Sequence, residues 1–274
     1  MDRIEVGANV TPQQVFWWGL GTSAAAAFLV SLRDRARRPS SQGASPAEPE
    51  PTFRKVADVP PFRLTQAEIL NAALENRLEF RWTELPGYPG VWVFEDAAKL
   101  DGIRVPVSPR TTQAIADALQ LSPTTALVED AVYNAATVRL KPVAFPVADQ
   151  AEGVASVPDF NADLDRQIAR QTLGRPGWGL VASVGKSWVL SNLVLEHPGR
   201  AVNYGFHWPA TTTVTSRGPW PSVDGRSKVF QQPGWAHGLD HVDYSQTLRL
   251  CRLDSGAALP SHEPLRINRL WVSP

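Results

Sequence analysis

Residues 179–207 read GLVASVGKSWVLSNLVLEHPGRAVNYGFH, and their reading decides the fold. Three strand-like runs lie in this stretch, at 179–184, 187–190 and 201–207, cut by Gly, Ser and Pro. A fourth such run, at 242–253, follows near the C-terminus. Between the third and the fourth, residues 210–232 read as a long loop rich in Thr, Ser, Pro and Gly that carries Trp220.

N-terminal to this stretch the pattern turns helical. Thr65-Gln-Ala-Glu68 is a capping box, and Ile69, Leu70, Ala73, Leu74 and Leu78 follow at helical spacing, which predicts a helix over 66–79. Short strands are expected at 91–94 and 103–107. A helix begins at Thr111 or Thr112 and runs through Leu119. Ser122-Pro123 opens another that runs through Val132, with proline at its first position. Residues 138–158 carry little helical signal, and 160–173 read as a helix stopped by Gly174. Helices first and strands later predict an α+β domain over 61–274 with a mixed or antiparallel sheet.

Residues 15–32, VFWWGLGTSAAAAFLVSL, are uncharged and long enough to span a bilayer. Arg33, Arg35, Arg37 and Arg38 follow at once, while Asp2, Arg3 and Glu5 precede it, unlike a secretory signal. Residues 1–38 are therefore expected to form a single-pass membrane anchor with a basic flank. The arginine bias favours a cytoplasmic C-terminal side. Residues 39–60 are rich in Pro, Ser, Ala and Glu and read as a flexible linker.

Twenty-seven basic and twenty-seven acidic residues cancel, which argues against a nucleic-acid partner. The lone cysteine, Cys251, precludes an intrachain disulfide and a cysteine zinc site, and its alternating surroundings predict a buried small side chain. Ten tryptophans and twenty-four prolines suggest an irregular domain with aromatic packing or an aromatic-lined cleft.

All five histidines lie at or beyond residue 197, and the densest stretch is Trp235-Ala-His237-Gly-Leu-Asp240-His241-Val-Asp243-Tyr244-Ser245. Two imidazoles and a carboxylate, His207, His237 and Asp243, would make a zinc site with one open position. Without metal, Ser245 beside Asp243 could be activated by His207 or His237. Against this stand satisfied, partly buried histidines and a strand edge at Asp243-Tyr-Ser245. Val184-Gly-Lys-Ser187 resembles the end of a phosphate loop but has Leu180 where the earlier glycine belongs. Lys186 is then a cation for a substrate or oxyanion, or a solvated lysine at a strand start.

The chain resembles a family of uncharacterised, mostly exported bacterial proteins over roughly residues 91–267. The likeness rests on Arg104-Val-Pro-Val-Ser108 followed by Ala114-Ile-Ala-Asp117, on 186–192, on Tyr204-Gly-Phe-His207, and on Val242-Asp-Tyr-Ser245 with Arg249-Leu250. The family carries Tyr-Gly-Trp-His and Asp-Tyr-Ser-His-Gly segments, with a further histidine matching His237. Gln246 and Thr247 stand here in place of that pattern's final histidine and glycine. The resemblance singles out Tyr204, His207, His237, Asp243, Ser245 and Lys186, ranks His197, His241 and His262 below them, and implies no established activity. Its export habit opposes the arginine bias, so the side of the membrane stays open.

Two functions are expected from this reading. One is a membrane-tethered, hydrolase-like protein acting on a cell-envelope polymer such as peptidoglycan through a His/Asp/Ser cleft. The other is a non-catalytic envelope or virion component that binds protein or glycan through the tryptophan-rich loop.

Overall fold

The computed structural model describes residues 64–142, 156–174, 177, 179–216 and 218–273. The expected membrane segment 15–32, its basic flank and the linker 39–60 lie outside them. Among the described residues no helix is long and apolar enough to cross a membrane.

In chain order the elements are α1 (Gln66–Leu74), β1 (Trp82–Glu84), β2 (Val91–Phe94), β3 (Lys99–Leu100), β4 (Ile103–Arg104), α2 (Pro109–Leu119), β5 (Ser122–Thr125), α3 (Ala126–Ala135), β6 (Val138–Arg139), α4 (Val157–Thr172), β7 (Val181–Ala182), β8 (Lys186–Leu190), β9 (Val202–Pro209), β10 (Trp220–Pro221), β11 (Ser227–Gly234) and β12 (Leu250–Leu253). Eight strands form one sheet in the order β1-β2-β12-β5-β8-β9-β11-β10. Only the β5–β8 pair is parallel within it; every other neighbouring pair is antiparallel. Helices with a large mixed sheet make the domain α+β, as the order of patterns predicts.

Local signals set several elements. Thr65 and Glu68 form the expected capping box on α1. The helix ends at Leu74 rather than 79, because Asn76 turns left-handed at φ 56° and breaks the ladder. Ser108 caps α2 by accepting from the Thr111 amide, with Pro109 in the first turn. The helix ends at Gln120, which adopts the left-handed conformation. Phe160, Leu164 and Ile168 bury one stripe of α4, each contributing roughly 1.5–3 kcal/mol by leaving water.

Other expectations fail for physical reasons. Ser122-Pro123 does not open a helix: 122–125 is strand β5, and the cap is Thr125, whose side chain accepts from the Val128 amide. The strand expected over 103–107 shrinks to β4. The run 242–253 is a regular strand only from Leu250 onward; 242–245 is irregular, and Gln246 and Thr247 make isolated bridges to Lys186 and Pro106. Part of the long loop 210–232 folds back as the antiparallel pair β10–β11.

The register of β8 against β9 assigns the two faces of the sheet. Ser187 lies opposite Tyr204, and Lys186 lies opposite Gly205. Neighbours on a strand point to opposite faces. Trp188 packs with Ile69 of α1 and Ile115 of α2. Tyr204 and Val189 pack with Ala126 of α3. The sheet thus carries α1 and α2 on one face, with Lys186 and Trp188, and α3 on the other, with Tyr204.

Candidate functional site

On the α3 face, β9 breaks its own alternation. Gly205 and Phe206 adopt φ of 136° and 58°. This shift lets Tyr204 and His207, three residues apart, reach one acceptor, the Asp130 carboxylate of α3. The Tyr204 hydroxyl donates to Asp130 Oδ1 at 2.6 Å, and His207 Nε2 lies 2.7 Å from the same oxygen. Asp130 Oδ2 accepts from the Asp224 amide at 2.9 Å, and the Tyr204 oxygen accepts from the Val223 amide at 3.1 Å. The Tyr133 ring stacks on His207. Tyr204 and Asp130 are fully buried and His207 nearly so. Burial and the neighbouring Asp130 push the Tyr204 phenol far above its ordinary range. The network fastens the turn between β10 and β11 to α3, and its polar atoms serve one another.

The α2 face holds a different group. Lys186 Nζ lies 3.5 Å from Asp243 Oδ2. His241 Nε2 lies 3.7 Å from the same oxygen, within ion-pair range but beyond a hydrogen bond. The His237 and His241 rings stack with centroids 3.9 Å apart, and both meet the Trp188 ring edge-on. Asp243 Oδ1 accepts from the Ser245 amide at 2.8 Å and from its hydroxyl at 2.6 Å. Gln246 Oε1 accepts from the Asp243 amide at 2.5 Å. His237, His241, Asp243 and Lys186 are half-buried, whereas Ser245 and Gln246 are buried. Two buried nitrogens of this group, His241 Nε2 and Gln246 Nε2, have no hydrogen-bond partner.

Burial, then the charges of His241 and Lys186, push the His237 imidazole down to about 4. It is neutral at pH 7. Burial by itself would raise the Asp243 carboxyl, but His241, Lys186 and Ser245 outweigh it and hold it well below the ordinary carboxylate range. The group therefore combines a fixed anion, a cation and a neutral imidazole.

Backbone approach explains the nearby glycine. A Cβ on Gly185 would lie 2.5 Å from the Ser245 carbonyl oxygen, so only glycine fits there. The Gly-Lys-Ser run owes its glycine to this contact, not to a phosphate.

Of the expected site residues, Lys186, His237, Asp243 and Ser245 come together. Tyr204 and His207 do not join them; the sheet separates the two sets. The zinc set His207, His237 and Asp243 is accordingly not assembled, and among the described residues no three His, Cys, Asp or Glu side chains are placed to hold a metal ion. Ser245 gives its hydroxyl to Asp243 and not to an imidazole. Asp243 and Ser245 share no strand face, because their segment is a turn. Cys251 is fully buried, and burial pushes its thiol up, which matches the expectation of a packed side chain.

Three participants escaped the sequence reading. Asp130 carried a signal: it follows Glu129 inside an apolar helix, where a carboxylate must find partners. His241 lies only two residues from Asp243, but the resemblance ranked it low. The resemblance marks Gln246 as a departure, whereas its bond to the Asp243 amide makes it a member of the group. The chain matches no protein-family model, no curated protein and no solved structure.

Proposed function

We propose that the chain is a membrane-tethered, non-catalytic domain that binds a cell-envelope polymer at the group formed by Lys186, Asp243, His241 and His237. The observation that carries this reading is the partition of the site. His207 is sealed against Asp130 on the α3 face, and the Ser245 hydroxyl is committed to Asp243, so Ser245 is not poised beside an imidazole base. What stands half-exposed is a group with a carboxylate, an ammonium and imidazoles, which suits recognition of a hydroxyl- or amide-bearing polymer. The envelope setting and the tether at 15–32 rest on the sequence and on the resemblance to exported proteins.

A second reading is metal-free hydrolysis of the same polymer. It draws on His237, which burial keeps unprotonated at pH 7, though as a weak base. In this reading water, not Ser245, is the nucleophile.

Sedimentation with purified peptidoglycan and a fragment-release assay separate the two. The full-length chain in detergent is compared with His237→Ala and Asp243→Asn. Co-sedimentation without release, weakened by Asp243→Asn, is the expected result. Release by the wild type that disappears in His237→Ala would replace the first reading with the second. Neither binding nor release would end both.

A further inference from the structure

We infer that Gln246 reads the ligand of this site and that the group it reads is a secondary amide. The inference rests on the binding reading above. The Gln246 side chain is fully buried, and its orientation is set by chemistry: Oε1 must face the Asp243 amide, because only an oxygen accepts that N–H. Nε2 is thereby turned the other way, and it has no partner. His241 Nε2, beside Asp243 Oδ2, has none either. A buried donor without an acceptor is costly, and a ligand acceptor relieves that cost.

The rest of the group narrows the ligand. Asp243 Oδ1 already takes two short hydrogen bonds from Ser245, whereas Oδ2 has only the two longer contacts to Lys186 and His241. Oδ2 retains capacity to accept one more proton donor. The site thus offers N–H donors next to a carboxylate acceptor. A secondary amide answers both: its carbonyl accepts from Gln246 or His241, and its N–H donates to Asp243. An anionic ligand answers poorly, since Asp243 repels it and Lys186 is already paired. Both nitrogens are shielded from solvent, so a ligand enters only if the structure opens locally, and that opening is assigned to 236–243, whose His237 and His241 rings lie against Trp188. That segment is held by the exposed pair Arg110–Asp240 and by the Arg200 guanidinium donating to the Ala236 carbonyl.

Isothermal titration of the full-length chain tests this with three probes: an N-acetylglucosamine tetramer, the de-N-acetylated glucosamine tetramer, and an N-acetylated tetra-alanine peptide. The acetylated sugar or the peptide is expected to bind at least ten-fold more tightly than the de-acetylated sugar, and the one that does identifies the source of the amide. Gln246→Glu keeps the acceptor for the Asp243 amide and loses the donor, so it is expected to lose that preference. His241→Phe keeps the ring stack and loses the second donor, and it decides the matter if Gln246→Glu fails to fold by thermal melting. Equal binding of acetylated and de-acetylated sugars, a preference unchanged in the folded variants, or binding to peptidoglycan but to neither amide probe overturns the inference while leaving polymer binding in place. Absence of any binding to peptidoglycan overturns the reading on which it rests.

Discussion

At the level of single residues, two carboxylates, buried Asp130 and half-buried Asp243, are treated in opposite ways. Asp130 is saturated by Tyr204, His207 and the Asp224 amide, whereas Asp243 keeps an oxygen with only long contacts. Saturation makes the first a structural clamp. Tyr204→Phe removes one donor from Asp130 and the acceptor of the Val223 amide, and is expected to cost about 1–3 kcal/mol in urea denaturation. His207→Ala is expected to cost at least as much and to leave polymer binding of the folded protein unchanged. Loss of binding in that folded variant would return His207 to the site. His237 makes a separate, pH-dependent contribution. The unfolded chain takes up its proton near 6.5, the folded chain only near 4. The unfolded state therefore binds more protons between these values, and stability falls as pH drops from about 6.5 to about 4. Asp243, held below its ordinary range, adds a further loss at still lower pH. His237→Gln should flatten the first of these slopes in denaturation midpoints measured from pH 7 to pH 4; an unchanged slope would assign it to another group.

At the level of elements, the junction of β5 and α3 shows what local pattern could and could not convey. Thr125 ends a strand, caps a helix through the Val128 amide, and donates its hydroxyl to the Pro260 carbonyl. Thr125→Ala is expected to cost about 1–2 kcal/mol, and Thr125→Ser to recover most of it, by thermal or urea melting. The start of α1 is legible because Thr65 and Glu68 cap it locally, whereas α2 starts at Pro109 under a Ser108 cap, ahead of the expected Thr111 or Thr112. Ser122-Pro123 misled because proline suits both a helix start and a strand, and the choice was made by pairing with Leu250 and the parallel partner β8, far away in sequence. The run 242–253 reads as strand-like, with alternation over 248–253. Its first half lost that role when Asp243, Ser245 and Gln246 bonded among themselves and formed a turn.

At the level of the whole molecule, the mixed sheet is what divides the histidines. Composition placed all five in the last third, and that concentration suggested one site. The sheet puts His207 on one face and His237 and His241 on the other, and no spacing in the sequence reveals this, because the deciding event is the pair of positive φ angles at Gly205 and Phe206. The same architecture sets a gradient of stability. β8 lies between β5 and β9 and is buried from Ser187 to Leu190, whereas 236–243 is irregular and half-exposed over Trp188. Core strands exchange their amide protons through global unfolding, and such segments exchange through local opening. Amides of 187–190 and 202–204 should therefore be the slowest in native-state hydrogen exchange, and those of 236–243 faster by several orders of magnitude. Saturation with the bound polymer should slow 236–243 selectively, because the ligand would close over the group that this segment covers. Equal protection of 236–243 and 187–190 in the free protein would mean a rigid cover with no route to Gln246, and the α2-face group would then be a structural ion pair and nothing more.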